Sequence, residues 1–177
     1  KDTLQKFIKN RDKIPFKFNK QIEFPSSEIT IVNYLNDNLG LHYFAPYDAA
    51  KTQFNDCQFD FISSTFTLEH IPEKDILPIF EECYRILKKG GVFSMVIDYQ
   101  DHWSYFDSSI TRYNFLKYSE KEWKKFNPSL HFQNRMRHKE YLDLISMTHF
   151  KIVKNKPHLP SDSDINHLTS MVLDEKY

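Results

Sequence analysis

The pattern of apolar and polar positions is clearest between residues 59 and 97. Phe59-Asp60-Phe61-Ile62-Ser63 is a short apolar run entered through Asn55-Asp56, which predicts a buried strand. From Glu73 to Lys88, Ile76, Ile79, Phe80, Cys83, Ile86 and Leu87 recur at helical spacing with Glu and Lys opposite, predicting an amphipathic helix. Acids come early in it and Lys88-Lys89 late, as the helix dipole favours, and Gly90 is placed to end it in the left-handed conformation. Val92 to Ile97 follows as a near-continuous apolar run, a strand expected to be covered on both faces. Strand, helix and strand joined so tightly require a right-handed crossover and a parallel pair.

The pattern is looser on either side. Leu4, Phe7 and Ile8 suggest a helix end, and Pro25-Ser26-Ser27-Glu28 reads as a capped helix start. The helix from Glu28 to Asn36 would bury Ile29, Val32 and Leu35, with Gly40 at its exit and a short strand at Leu41 to Phe44. Another strand-like segment runs into Tyr47-Asp48-Ala49. Downstream, Ser119 caps a short helix containing Trp123. His138 to Met147 forms a helix with Tyr141, Leu142 and Ile145 inward, Phe150 to Val153 a late strand, and Ile165 to Leu173 a final helix. The expected division is a single domain, 1–177: a helical insertion or cap (1–40), the core of the sheet (41–101), an acceptor-side insertion or lid (102–137), and a C-terminal helix, strand and tail (138–177).

Composition narrows the function classes. Across 177 residues, 40% are hydrophobic and 16% aromatic, enough for a real core. Lys plus Arg and Asp plus Glu each total 24, so no overall basic field draws in nucleic acid or an anionic membrane. Cys57 and Cys83 both fall among residues expected in the ordered core. They suggest no disulfide framework, and a reduced, cytoplasmic setting is the simpler reading. No apolar run approaches a bilayer span and no signal-peptide pattern opens the chain. Of the three glycines, Gly40, Gly90 and Gly91, none lies in a Gly-x-Gly arrangement, so these residues hold no glycine-rich nucleotide loop.

The order Asp48-Ala49, Phe59-Asp60, Glu69-His70, Arg85-Ile86-Leu87-Lys88-Lys89-Gly90-Gly91 resembles class I S-adenosylmethionine-dependent methyltransferases of the small-molecule, type 11-like kind. The resemblance covers roughly Leu41 to Val153 and is strongest from Asp48 to Asp98. It implies an α/β, Rossmann-like, mostly parallel sheet with flanking helices, lacking the first strand and glycine-rich turn. His149 stands where many relatives have Gly. The chain is then either an excerpt of a longer enzyme or a remnant kept as a non-catalytic binding or interaction module. A half-sheet would expose an apolar edge and favour a homo-oligomer. A different doubly wound nucleotide-binding enzyme is disfavoured by the missing glycine loop.

The resemblance also implies site residues. Asp48 and Ala49 would meet the adenine of S-adenosylmethionine, and Ser63, Ser64 and Thr65 its methionine part. On residue type alone Asp48 is equally a turn residue, and the hydroxyls are equally caps. Ligands in open parallel sheets bind beyond the carboxyl ends of strands, which selects Asp48-Ala49, Ser63–Thr65 and Asp98–His102. His102 and His70 are candidate general bases for a small-molecule acceptor, with Asp98 beside them. Glu69, Tyr99, Trp103, Arg135 and Arg137 are candidate acceptor contacts, the two arginines for a carboxylate or phosphate or, equally, for a surface acid. Aromatics between Trp103 and Trp123 are expected chiefly as core. Asp98, Asp101 and His102 could share a cation. Short acid–His clusters in loops more often bond to solvent or backbone, so no metal is expected. The product cofactor would be S-adenosylhomocysteine, the partner a small molecule, with neither nucleic acid nor membrane involved.

Overall fold

A computed structural model describes residues 28–177, with side chains from Ile31 onward. The expected helix end at residues 2–8 and the Pro25-Ser26-Ser27 caps lie outside the described residues. The chain divides into two compact units, the second being Tyr47–Tyr177. In the first unit, α1 (Glu28–Leu39) carries half-buried Val32 and Leu35. Gly40, at φ +63, closes it, with Gly40 N donating to Asn36 O at 3.1 Å and Leu41 N to Leu35 O at 3.1 Å. That is the left-handed exit expected of Gly40. The strand expected at Leu41–Phe44 is absent, and Leu41, Tyr43 and Phe44 are exposed. Strand propensity over four residues is realised only where a ladder is supplied.

The second unit is built on one crossover. β1 (Phe59–Thr65) pairs in parallel with β2 (Leu87–Val96), and α2 (Glu73–Ile86) connects them. The molecule is therefore the α/β, incomplete Rossmann-like fold that the sequence pattern implies. α2 ends two residues earlier than predicted. Leu87 turns extended, φ −78 and ψ 138, and enters the ladder opposite Phe59, so the sheet rather than a glycine stops the helix. Gly90, at φ +83, serves an irregularity in β2, between Leu87↔Phe59 and Val92↔Phe61. A Cβ on Gly91 would meet Leu87 Cδ2 and Lys88 O at 2.9 Å, which only glycine avoids.

One face of this sheet is covered. Ile76 and Phe80 of α2 pack with Tyr141 and Ile145 of α4 (His138–Ser146) onto Phe93 and Met95. On the other face Phe61, Val92 and Val96 are exposed, so the two-sided cover expected of β2 is not found among the described residues. Both packed helices lie on the Phe93 side, and the alternation of a strand sends its remaining side chains away from them. Around Trp123 a second core gathers Phe115 and Leu116, with Tyr113, Tyr118, Leu168, Leu173 and Tyr177 against it. It includes α3 (Glu120–Trp123), capped by Ser119 with Glu122 as predicted, and α5 (Asp162–Ser170). The late strand expected at Phe150–Val153 does not form. Phe150 packs on Phe93 at 5.8 Å between ring centroids, while Ile152 and Val153 are exposed. His149 stands in a turn closed by Thr148, whose N and Oγ1 both donate to Ile145 O, so no glycine is required there.

The approach to β1 is tied to α2 by Glu82. This buried carboxylate accepts from Thr52 N at 2.8 Å and from Arg85 Nε at 2.8 Å. Arg85 also donates to Phe54 O at 2.9 Å and pairs with Asp56. Cys57, expected in the core, is exposed at φ +54 in the turn this network fixes, whereas Cys83 is buried; both are free thiols.

Two predictions follow from this framework. The Arg85 guanidinium and the Thr52 donors hold the Glu82 carboxyl down at about 2, below its ordinary 4.5, so its contribution is complete above pH 4.5 and is lost as pH falls through 2. Glu82→Gln should cost about 2 kcal/mol at neutral pH and flatten the acid limb of stability, read as urea midpoints against pH. Gly91→Ala should lower the neutral midpoint by the equivalent of about 1–3 kcal/mol, since backbone must move to admit the methyl group.

Candidate functional site

The site is the space beyond the carboxyl ends of β1 and β2, where two loops emerge side by side. β1 ends in Ser63-Ser64-Thr65, and Phe66 then adopts φ +51 while its N donates to Val96 O at 2.9 Å. A left-handed backbone is uncommon for a bulky residue and is retained where the surroundings fix it. A single 3-10 turn, Leu68–His70, follows. β2 continues through Asp98 and Tyr99 into a second 3-10 turn, His102–Tyr105, capped by Asp101.

A third segment binds both loops. Asn134 N donates to Glu69 O at 2.7 Å, and its Nδ2 donates to Leu68 O and Ile71 O, each at 2.8 Å. His70 Nδ1 lies 2.8 Å from Phe132 O, which fixes that nitrogen as the donor and leaves Nε2 with the lone pair. On the other loop, Gln133 Oε1 accepts from His102 N at 3.2 Å and Gln133 Nε2 donates to Gln100 O at 2.5 Å. Neighbouring residues of one extended segment thus hold Glu69-His70 against His102.

The result is a cluster of titratable groups. The His70 and His102 rings lie 4.9 Å apart, and coordinating atoms of Glu69, His70 and His102 all fall within 4.8 Å of one another. Glu69 is 1% exposed and neither carboxylate oxygen has a hydrogen-bond partner. Burial pushes its pKa above the ordinary carboxylate value. His102 Nε2 is likewise buried without a hydrogen bond, 3.5 Å from Asp98 Oδ2. Burial lowers the His102 pKa, Asp98 opposing, so the neutral imidazole is favoured. Asp98 accepts from Gln100 N at 3.0 Å and from the Tyr105 hydroxyl. His131, Trp103 and Phe106 continue the basin, with ring centroids 5.6 Å apart for Trp103–His131 and 6.2 Å for Phe106–His131.

Other sequence-predicted residues are placed differently. Asp101 does not face the cluster: it is fully buried and caps the turn, accepting from Trp103 N at 2.9 Å and from Asn114. Arg135 is corrected from acceptor contact to core cation. It is 4% exposed and donates to Phe115 O at 2.8 Å, to Tyr118 O, and to Glu120 Oε1 at 2.6 Å. Arg137 donates to Tyr99 O at 2.8 Å and lies over the Tyr99 and Phe115 rings. Both guanidiniums brace the aromatic segment; Arg135 is spent on it, while Arg137 is half-buried. Tyr99 is half-buried against His138 and Tyr141. Trp103 is partly exposed, with its Nε1 donating to Phe126 O at 3.0 Å.

Asp48 stands in an exposed turn, where its Oδ1 accepts from Ala50 N at 2.9 Å and its O from Lys51 N at 3.2 Å. No strand precedes it. This Asx turn engages Oδ1 and leaves Oδ2 as an acceptor, which suits an exocyclic amine. Ser63 and Thr65 are exposed at the end of β1. These donor and acceptor types fit the adenine and methionine ends of S-adenosylmethionine. Gly40, Gly90 and Gly91 supply no cradle for its ribose, so the fit covers half of that cofactor.

Gln133 and Asn134 are what sequence reasoning missed as positioning residues, since their polar side chains sit in an aromatic segment that suggests a pocket wall. Asn134→Ala should leave Ile71 O unmatched and strip Leu68 O of one of its two donors, cost about 1–3 kcal/mol and speed amide hydrogen exchange across residues 68–71.

Comparison with known proteins agrees with part of this chain. Residues 21–95 match the family model described as a methyltransferase domain. The match takes in Asp48, Ser63–Thr65 and Glu69-His70 and stops before Asp98 and His102. No curated protein and no solved structure matches the chain. Among the described residues, no helix is long and apolar enough to cross a membrane. The parallel crossover and the strand-end site agree with this match, which makes residues 21–95 similar to a methyltransferase domain of the class I kind.

Proposed function

We propose that this protein methylates a small-molecule acceptor held between the Glu69-His70 loop and the Asp98–His102 loop. The observation that carries the reading is the pairing of a buried imidazole, His102, with the Asp98 carboxylate at 3.5 Å, directly beyond two parallel strands. S-adenosylmethionine, when bound, supplies an electrophilic methyl group on a sulfonium, so direct displacement leaves S-adenosylhomocysteine. Asp48 and Ala49 would hold its adenine, and Ser63, Ser64 and Thr65 its amino acid end.

The chain's own residues then have two tasks. The first is positioning, which supplies most of the rate of an in-line displacement. Exposed Trp103, Tyr105 and Phe106 offer apolar walls around the imidazoles, suited to a planar or apolar acceptor. The second is proton removal from an acceptor hydroxyl. His102 is favoured in its neutral form; with Nε2 beside Asp98 Oδ2, Nδ1 would carry the lone pair that takes the proton, and Asp98 would stabilise the imidazolium once formed. His70 commits Nδ1 to Phe132 O, and its ring lies 4.9 Å from that of His102. The exposed sheet face with Phe61, Val92 and Val96 also supports self-association of this chain.

A second reading is a non-catalytic methyltransferase-like binding module. It is favoured by the absence of any Gly-x-Gly in the sequence. Calorimetric titration of S-adenosylhomocysteine into the full chain separates the two. Saturable binding that Asp48→Ala weakens about tenfold or more supports the enzyme reading, since one charge-assisted hydrogen bond is lost. Given binding and turnover, His102→Ala should lower methyl transfer by about 10²-fold or more while leaving cofactor affinity unchanged. A folded chain that binds no S-adenosylhomocysteine would favour the module.

A further inference from the structure

We infer that Glu69, His70 and His102 form a binding site for a divalent first-row transition metal ion. This deepens the proposed function and rests on it only for where the acceptor sits. Sequence reasoning expected no metal and weighed only Asp98, Asp101 and His102, a set that the fold breaks up by turning Asp101 into a helix cap.

The donor set is two imidazoles and one carboxylate. That combination suits Zn, Fe, Co or Mn rather than Ca or Mg, which prefer oxygen alone. The ligating atoms lie within 4.8 Å of one another. Ligands bonded at about 2.1 Å sit roughly 3–3.5 Å apart, so small side-chain rotations must draw the three inward.

Glu69 provides an independent observation. Its side chain is 99% out of solvent, and both carboxylate oxygens lack a hydrogen-bond donor. A buried carboxylate is stable only when protonated, paired or bound to a cation. No Lys or Arg in the described ion pairs reaches it. Its own loop and the facing loop present imidazole lone pairs instead. His102 Nε2 is likewise buried without a hydrogen bond, 3.5 Å from Asp98 Oδ2, and a nitrogen of this ring lies within 4.8 Å of the other two ligating atoms.

The surroundings match what metal ligands require. His70 holds its Nδ1 on Phe132 O at 2.8 Å, the arrangement that fixes a ligating histidine's tautomer and frees Nε2 for the ion. Asp98, beside His102, adds a second carboxylate, so Glu69 and Asp98 together balance a dication. Glu69 and His102 are buried while His70 is exposed, which leaves an open side for an acceptor oxygen. A bound ion would take His102 as a ligand in place of the base role and would supply Lewis acidity to an acceptor oxygen on that open side, with Asp98 beside it as a proton acceptor.

The test uses the full chain after chelator treatment. Titration with Co²⁺ alone should give saturable one-to-one uptake with visible d–d absorption, and Zn²⁺ should compete for the same site. Glu69→Gln and His102→Ala should each weaken Co²⁺ binding at least about tenfold, while the exposed tail variant His158→Ala leaves it unchanged. Thermal unfolding guards against simple misfolding. Without metal, Glu69→Gln should unfold no lower than the wild type, because an unpartnered buried charge has been removed. With Zn²⁺, only the wild type should gain in unfolding temperature. No saturable Co²⁺ uptake, or uptake that Glu69→Gln and His102→Ala leave intact, overturns the inference. S-adenosylhomocysteine binding is measured on the same samples. Cofactor binding without metal uptake keeps the methyltransferase reading and sinks this one, whereas metal uptake without cofactor binding upholds the metal site alone.

Discussion

Asn134 and Gln133 make the hydrogen bonds on which the site depends. Two loops leave the ends of parallel strands, and nothing in the ladder itself fixes where they go next. Asn134 closes the first by binding Leu68 O and Ile71 O, and Gln133 closes the second by binding His102 N and Gln100 O. Both loops have peptide groups that must be satisfied away from water, and one short segment satisfies them together. The imidazoles of His70 and His102 are brought to 4.9 Å between centroids, tilted at 59°, as a result.

That segment is itself anchored. Trp123 Nε1 and Asn127 Nδ2 donate to Gln133 O, and Arg135 next along the chain is sunk among Phe115 O, Tyr118 O and Glu120. The aromatic core around Trp123 is therefore coupled to the strand-end site through backbone carbonyls rather than through apolar contact. A buried guanidinium is stable there because its donors meet fixed acceptors and its faces meet the Trp123 and Tyr177 rings. The arginines serve the architecture of the site. Of the buried side-chain atoms without a hydrogen bond, both Glu69 oxygens and His102 Nε2 fall in the cluster, while Arg135 Nε, His131 Nε2 and His138 Nε2 complete the set among the described residues. Glu69 is the one carboxylate among them.

The family match and the geometry meet at Glu69-His70. The matched residues end at 95, yet half of the cluster, Asp98 and His102, lies beyond them. The part shared with methyltransferase domains is thus the strand-end frame, and the continuation of β2 adds Asp98 and His102 to it. The exposed sheet face and the absent glycine loop leave the cofactor side half-built from these residues.

The crossover was legible in the sequence because its signals are local. Periodicity over 73–87 marks the amphipathic helix, and the apolar runs at 59–63 and 92–97 mark strands that a single intervening helix joins as a parallel crossover. The Ser119 cap and the inward faces of Tyr141 and Ile145 were legible for the same reason. Tertiary structure decided the rest. Leu87 left the helix because a ladder position opposite Phe59 was available, and the segments at 41–44 and 150–153 stayed irregular because none was. Glu69 and Arg135 both read as acceptor contacts in the sequence; burial left the Glu69 carboxylate without a hydrogen bond, and backbone carbonyls from distant residues closed around Arg135. Residue type and spacing determine which side chains can carry a charge. Whether that charge meets water, a backbone group or a bare imidazole depends on contacts between residues far apart in the chain, and those exist only in the fold.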